Sequence, residues 1–142
     1  MPVESLVNTD DAIHLAAFRT ALRSFLRTSE QVARAAGLTP QRHLLLLAIK
    51  GAPDGSATAT VTELSQRLQL AQSTITELVK RAEDAGLVER EWSEADGRVA
   101  HLRLSAEGER RLSRSVSGLA DERARLRAVL AELDRADRSR VR

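Results

Sequence analysis

The sequence predicts a mainly α fold carrying one small β-hairpin, with a long helix at either end. Three observations predict it. Apolar residues recur at helical spacing near the start and again from Ser105 onward. Two short helical patterns stand back to back in the middle, three residues apart. One pair of alternating segments brackets an Asp-Gly turn.

The first helix is expected from Asp10 or Asp11 to about Ala36. Phe18, Leu22, Phe25, Val32 and Ala36, with Ser29 between, follow a four-three spacing along one face, and Leu15 and Leu26 widen the stripe. Acids at its front and Gly37 at its back supply start and stop signals. Thr39 and Pro40 then open a second helix, capped by a hydroxyl and begun by a proline. Leu44 to Leu47, Ala48 and Ile49 make it apolar nearly all round, which predicts burial. Ala52 to Ala59, with Pro53, Gly55, Ser56 and Thr58, reads as a flexible surface loop.

Thr60-Val61-Thr62-Glu63 fits a capping box, after which Leu64 and Leu68 face the core. Past Gln69-Leu70-Ala71, a helix from Gln72 to about Ala85 turns Ile75, Leu78, Val79 and Ala82 inward and stops at Gly86. Leu87–Trp92 and Val99–Leu104 alternate as strands around a turn at Asp96-Gly97. Ser105 caps one long last helix with Leu112, Val116, Leu119, Leu126, Leu130 and Leu133 at heptad-compatible spacing. Gly118 is its weak point, Arg123 interrupts the stripe, and Asp134 to Arg142 are expected to fray. Helix, helix, helix-turn-helix, hairpin, helix is the order of a winged helix-turn-helix with long N- and C-terminal dimerisation helices.

Composition narrows the chemistry. At 142 residues, 42% apolar and 30% charged, the chain fits one globular domain, and no apolar run is long enough for a membrane span. The start, Met1 to Asp11, lacks the basic and apolar segments of a signal peptide, so a cytoplasmic location without membrane contact is expected. Without cysteine there are no disulfides, thiolate metal sites or thiol nucleophiles. His14, His43 and His101 stand far apart and show no metal-ligand spacing. No cofactor, metal or catalytic constellation is expected. Net charge is only +2, and Thr60 to Arg110 holds seven basic against ten acidic residues, an acidic balance in the region best suited to contact DNA.

Leu38-Thr39-Pro40-Gln41, Leu64-Ser65-Gln66-Arg67-Leu68, Ser73-Thr74-Ile75-Thr76, Glu83 through Arg90, Asp96-Gly97-Arg98, and Leu104-Ser105-Ala106-Glu107-Gly108 follow one another at set separations. In this order they resemble the MarR (multiple antibiotic resistance regulator) family over roughly Leu38 to Leu112. The resemblance implies a single domain over residues 1–142, with dimerisation helices over 10–36 and 105–142 and a winged lobe over 38–104. It also implies a DNA-binding dimer, usually a repressor released by a small-molecule effector. Gln69 and Ala71 depart from it, standing where a glycine and a capping serine are common. Each departure is expected to cost about 1 kcal/mol.

The residues give the same reading on their own. Gln72, Ser73, Thr76, Glu77 and Lys80 form the polar face of a helix able to enter a major groove. There Gln suits adenine, Glu suits cytosine's amino group, and Thr76 offers a hydroxyl and a methyl. Lys80 and Arg81 suit phosphates, and Thr74 and Arg90 complete the candidate set. A turn at Asp96-Gly97 projects Arg98 toward a minor groove with Asp96 orienting it, an acid and arginine pair that the resembling family also holds. A salt bridge that merely stiffens the hairpin is the alternative. Trp92 reads as a packing residue rather than a base-stacking one.

Phe18, Leu22, Phe25, Leu119, Leu126 and Leu130 are the candidate dimer contacts, because a small winged core cannot cover both terminal stripes. Arg123 either pairs across that interface or snorkels out of it. His14, Arg19 and His43 are candidates for an effector crevice or are ordinary surface and partly buried residues; no ligand is identified. The partners expected are double-stranded DNA and a second copy of the chain. A winged-helix module that binds protein instead of specific DNA is the alternative function.

Overall fold

The computed structural model describes residues 6–95 and 97–142. Its elements run α1 (Thr9–Ala35), α2 (Pro40–Lys50), α3 (Val61–Leu68), α4 (Gln72–Asp84), β1 (Val88–Trp92), β2 (Ala100–Leu104), α5 (Ala106–Gly118) and α6 (Ala120–Arg140). The chain divides into two compact units, Val32–Ser117 and Met1–Gln31 with Gly118–Arg142.

In the unit Val32–Ser117, α2, α3, α4 and the hairpin enclose a core in which Leu45, Leu46, Ile49, Leu64, Ile75, Val79, Leu87 and Leu102 are fully buried. Local chemistry sets each boundary. Thr39 accepts the Arg42 amide at 3.2 Å ahead of Pro40. Thr60 and Glu63 close the capping box in both directions, at 3.2 and 3.1 Å. After α4, Gly86 takes φ +74, a left-handed conformation that costs glycine least, and the Leu87 amide reaches back to the Ala82 carbonyl. Ser105 accepts the Gly108 amide and donates to the Gly86 carbonyl, so one hydroxyl caps α5 and ties it to the end of α4. A Cβ at Gly108 would lie 2.2 Å from the Leu87 carbonyl oxygen, which explains a glycine inside a helix.

The hairpin is antiparallel, with Val88 opposite Leu104, Arg90 opposite Leu102 and Trp92 opposite Ala100. Because strand side chains alternate, Val88, Arg90 and Trp92 share one face, and Glu89 and Glu91 share the other with His101 and Arg103. Ala59 exchanges two backbone hydrogen bonds with Leu102 and is fully buried. The loop expected over Ala52 to Ala59 therefore ends inside the sheet and core, where backbone pairing overrides its loop-like composition.

Two further expectations change. Helix α2 buries His43, Leu45, Leu46 and Ile49, but Leu44 and Leu47 stay 52% and 44% exposed, since the core takes only one of its faces. The last helix is two helices. It breaks at Leu119, beside Gly118, whose backbone entropy makes it the weakest helix former there. The tail is helical where fraying is expected: α6 runs to Arg140, with an Arg138–Asp134 ion pair and Arg140 against Asp11 within the same unit. In that unit Phe18, Leu22, Phe25 and Leu126 are half-buried and Leu130 is 46% exposed, while Leu119 is buried. Arg123 is exposed.

Candidate nucleic-acid interface

The face of α4 away from the core is polar along its whole length. Ile75, Leu78, Val79 and Ala82 point inward, and Gln72, Ser73, Thr74, Thr76, Glu77, Lys80 and Arg81 are all exposed. Thr76 donates to the Gln72 carbonyl at 2.9 Å, which fixes its hydroxyl and leaves its methyl outward. Glu77 and Arg81 form an exposed i,i+4 ion pair at 3.2 Å. Helix α4 starts without a side-chain cap at Ala71, and Gln69 ends α3 in the left-handed region at φ 54. Both departures noted in the sequence thus fall in the turn that aims α4.

The wing is tied to this helix by a contact that spacing does not announce. Arg90 donates to Glu83 at 2.8 Å, and both side chains are about two-thirds buried. The pair spans the Gly86 turn, so opposite charges flanking that glycine are its only sequence signal. It turns the Val88, Arg90 and Trp92 face toward α4. Arg98 lies at the exposed end of the hairpin, and Asp96 lies outside the described residues. Trp92 corrects an expectation: at the end of β1, beyond the core that holds Val88, its side chain is 59% exposed rather than packed.

The acidic balance of this region is largely absorbed by local pairing. Glu63 holds Arg67, Glu83 holds Arg90, Glu109 holds Lys50, and Arg103 bridges Glu89 and Glu91 on the hairpin's far face. Glu107 binds Arg110 and Arg111. Hydrogen bonds from Arg111 and then Arg110 hold its carboxyl below the usual carboxylate range. Arg111 also donates to the Gly37 carbonyl at 2.9 Å.

Of the effector candidates, Nδ1 of His14 lies 2.7 Å from the Asp10 carbonyl oxygen, and Arg19 borders a shallow surface cleft with Leu22, Arg23 and Leu26. His43 is 3% exposed, its Nε2 has no hydrogen-bond partner among the described residues, and burial pushes its pKa down. No group of three or more His, Asp or Glu among the described residues is placed to hold a metal ion, and no described helix is long and apolar enough to cross a membrane.

No curated protein sequence matches the chain. Among solved structures, AbsC of Streptomyces coelicolor, a MarR family transcriptional regulator, is 21% identical, with 94% of this chain and 93% of that one covered and a TM-score of 0.70. Sco3205 of the same organism, a MarR family regulator in complex with DNA, is 21% identical over 96% and 90% of the two chains, with a TM-score of 0.66. A mutant Escherichia coli MarR complexed with operator DNA is 18% identical over 87% and 90%, with a TM-score of 0.67. The MarR family model matches residues 36–99, from the end of α1 to the start of β2, and the fold of this chain is that of these MarR family structures.

Proposed function

We propose that the chain is a sequence-specific DNA-binding transcriptional regulator, a homodimer that sets two copies of α4 against a pseudo-palindromic site. The observation that carries the reading is the outer face of α4. A helix packed tightly on one side leaves Gln72, Ser73, Thr76, Glu77 and Lys80 in water on the other, beside a wing held to it through Arg90 and Glu83. Those side chains supply donors and acceptors for base edges, while Lys80, Arg81 and Arg98 supply charge for phosphates and a minor groove.

The candidate dimer contacts are Phe18, Leu22, Phe25, Leu126 and Leu130, which the single chain leaves accessible, whereas Leu119 is already buried within it. With half-sites about one helical turn apart, roughly 10 base pairs, a two-fold dimer places both recognition helices on one face of the duplex. Repression relieved by a small-molecule effector is the finer reading that the family resemblance adds. The DNA complexes of Sco3205 and E. coli MarR support the DNA-binding part of the proposal.

The test selects duplexes from a randomised pool with the purified protein and follows their binding by fluorescence anisotropy across a salt series. Saturable binding that discriminates against scrambled duplex is expected, and Arg98→Ala should weaken it by about 1 to 3 kcal/mol with the dimer intact. Absence of selection, or equal affinity for every duplex, overturns the reading in favour of a protein-binding winged helix.

A further inference from the structure

Trp92 is the only tryptophan in the chain and, at 59%, the exposed large apolar residue of the described hairpin. A single exposed apolar residue is ordinary on a protein surface, but the surroundings of this one are not neutral. It shares the α4-facing side of β1 with Arg90. Together with Arg90, Arg98 and Ala100 it forms one wall of a groove of about 240 Å³, and Val61 and Thr62 at the start of α3 form the other. The described residues lining the groove include two arginines, of which Arg90 is held by Glu83 from outside it, and no carboxylate. Gln72 reaches Thr62 across 3.4 Å, so the groove opens beside the first residue of the recognition helix.

When a helix occupies a major groove and a wing reaches the flanking minor groove, one sugar-phosphate strand passes between them. The Trp92 groove lies along that path, between the start of α4 and Arg98. We infer that it seats this backbone strand, with a deoxyribose against the indole face of Trp92 and the adjoining phosphodiester held by the Thr62 hydroxyl, while Arg98 continues past the strand into the minor groove. An amphipathic ring suits the site, because its apolar face covers sugar carbons while its N–H remains available to a phosphate oxygen. Such a contact positions the duplex and carries no base information. This inference rests on the DNA-binding reading above.

The experiment exploits the single tryptophan. Selected duplex is titrated into the protein while intrinsic emission and the anisotropy of the labelled duplex are read together. Emission is expected to change saturably with the same midpoint as the anisotropy. Trp92→Ala should weaken binding on the order of tenfold, to selected duplex and, at low salt, to scrambled duplex alike, and Trp92→Phe should restore most of it. If the duplex binds by anisotropy while emission stays constant and Trp92→Ala binds as tightly as the parent, the groove assignment is overturned and the DNA-binding reading stands. If Trp92→Ala loses affinity for the selected duplex alone, the contact reads bases and the backbone assignment is overturned. If no duplex binds at all, both fall.

Discussion

The two units of the molecule bury their apolar residues in opposite ways. Val32–Ser117 seals a dozen or more side chains from water, several of them completely, and satisfies its helix ends with Thr39, Thr60, Glu63 and Ser105. In the unit of Met1–Gln31 and Gly118–Arg142, Leu119 is the only described residue that is buried, and Ile13, Leu15, Leu26 and Leu130 are each about half exposed or more. One unit is a finished core. The other leaves its apolar stripes half exposed, and a second copy is the partner proposed for them.

The largest expected effect breaks the finished core. Ile49→Ala removes a fully buried side chain and should cost about 3 kcal/mol in urea unfolding when compared with the parent at one protein concentration. A loss below about 1 kcal/mol would mean that this core is not what holds the unit together. Leu130→Glu attacks the other unit. A residue already 46% exposed tolerates a charge unless something covers it, so a rise of roughly a hundredfold in the dimer dissociation constant, about 2.7 kcal/mol, is expected in sedimentation. An unchanged dimer would remove Leu130 from the interface.

Ala71→Ser sharpens the comparison by completing the one exposed-helix start in the winged unit that lacks a side-chain cap. Its φ of −61 and ψ of 147 already suit a capping residue, and a gain of about 1 kcal/mol in thermal unfolding is expected. The smallest effect concerns His43. Burial holds its folded pKa below the ordinary 6.5, so the unfolded chain takes up the proton first as the pH falls. Its contribution is complete above about pH 6.5 and is lost as acidity carries the solution toward the folded value. Melting temperature should decline as the pH falls below about 6.5, and His43→Phe should flatten the onset of that decline.

Legibility in the sequence followed the same division. Caps, glycine stops and helical stripes are local, so Thr39, Thr60, Glu63, Gly86 and the inward face of α4 were readable and are found in place. What failed depends on partners distant in sequence. Ala59 looks like loop until Leu102 pairs with it, and Leu44 looks buried until the core is seen to use only one side of α2. Trp92 looks like packing until the hairpin extends past Val88. The break at Leu119 was half legible, since Gly118 weakens a helix without stating that it ends there. Candidate site residues on α4 were legible because a period of 3.6 separates them from Ile75, Leu78 and Val79. The Arg90–Glu83 tie and the Thr62–Gln72 contact were not, because each joins two elements whose relative placement only the fold supplies.

The most direct test of the account is the stoichiometry of the protein on a selected duplex, measured by sedimentation at micromolar concentration. Two chains per duplex, delivered by a dimer that already exists without DNA, is the predicted result. A monomer that binds the duplex singly and with full affinity would contradict it, because the exposed terminal stripes would then have no second copy to cover them.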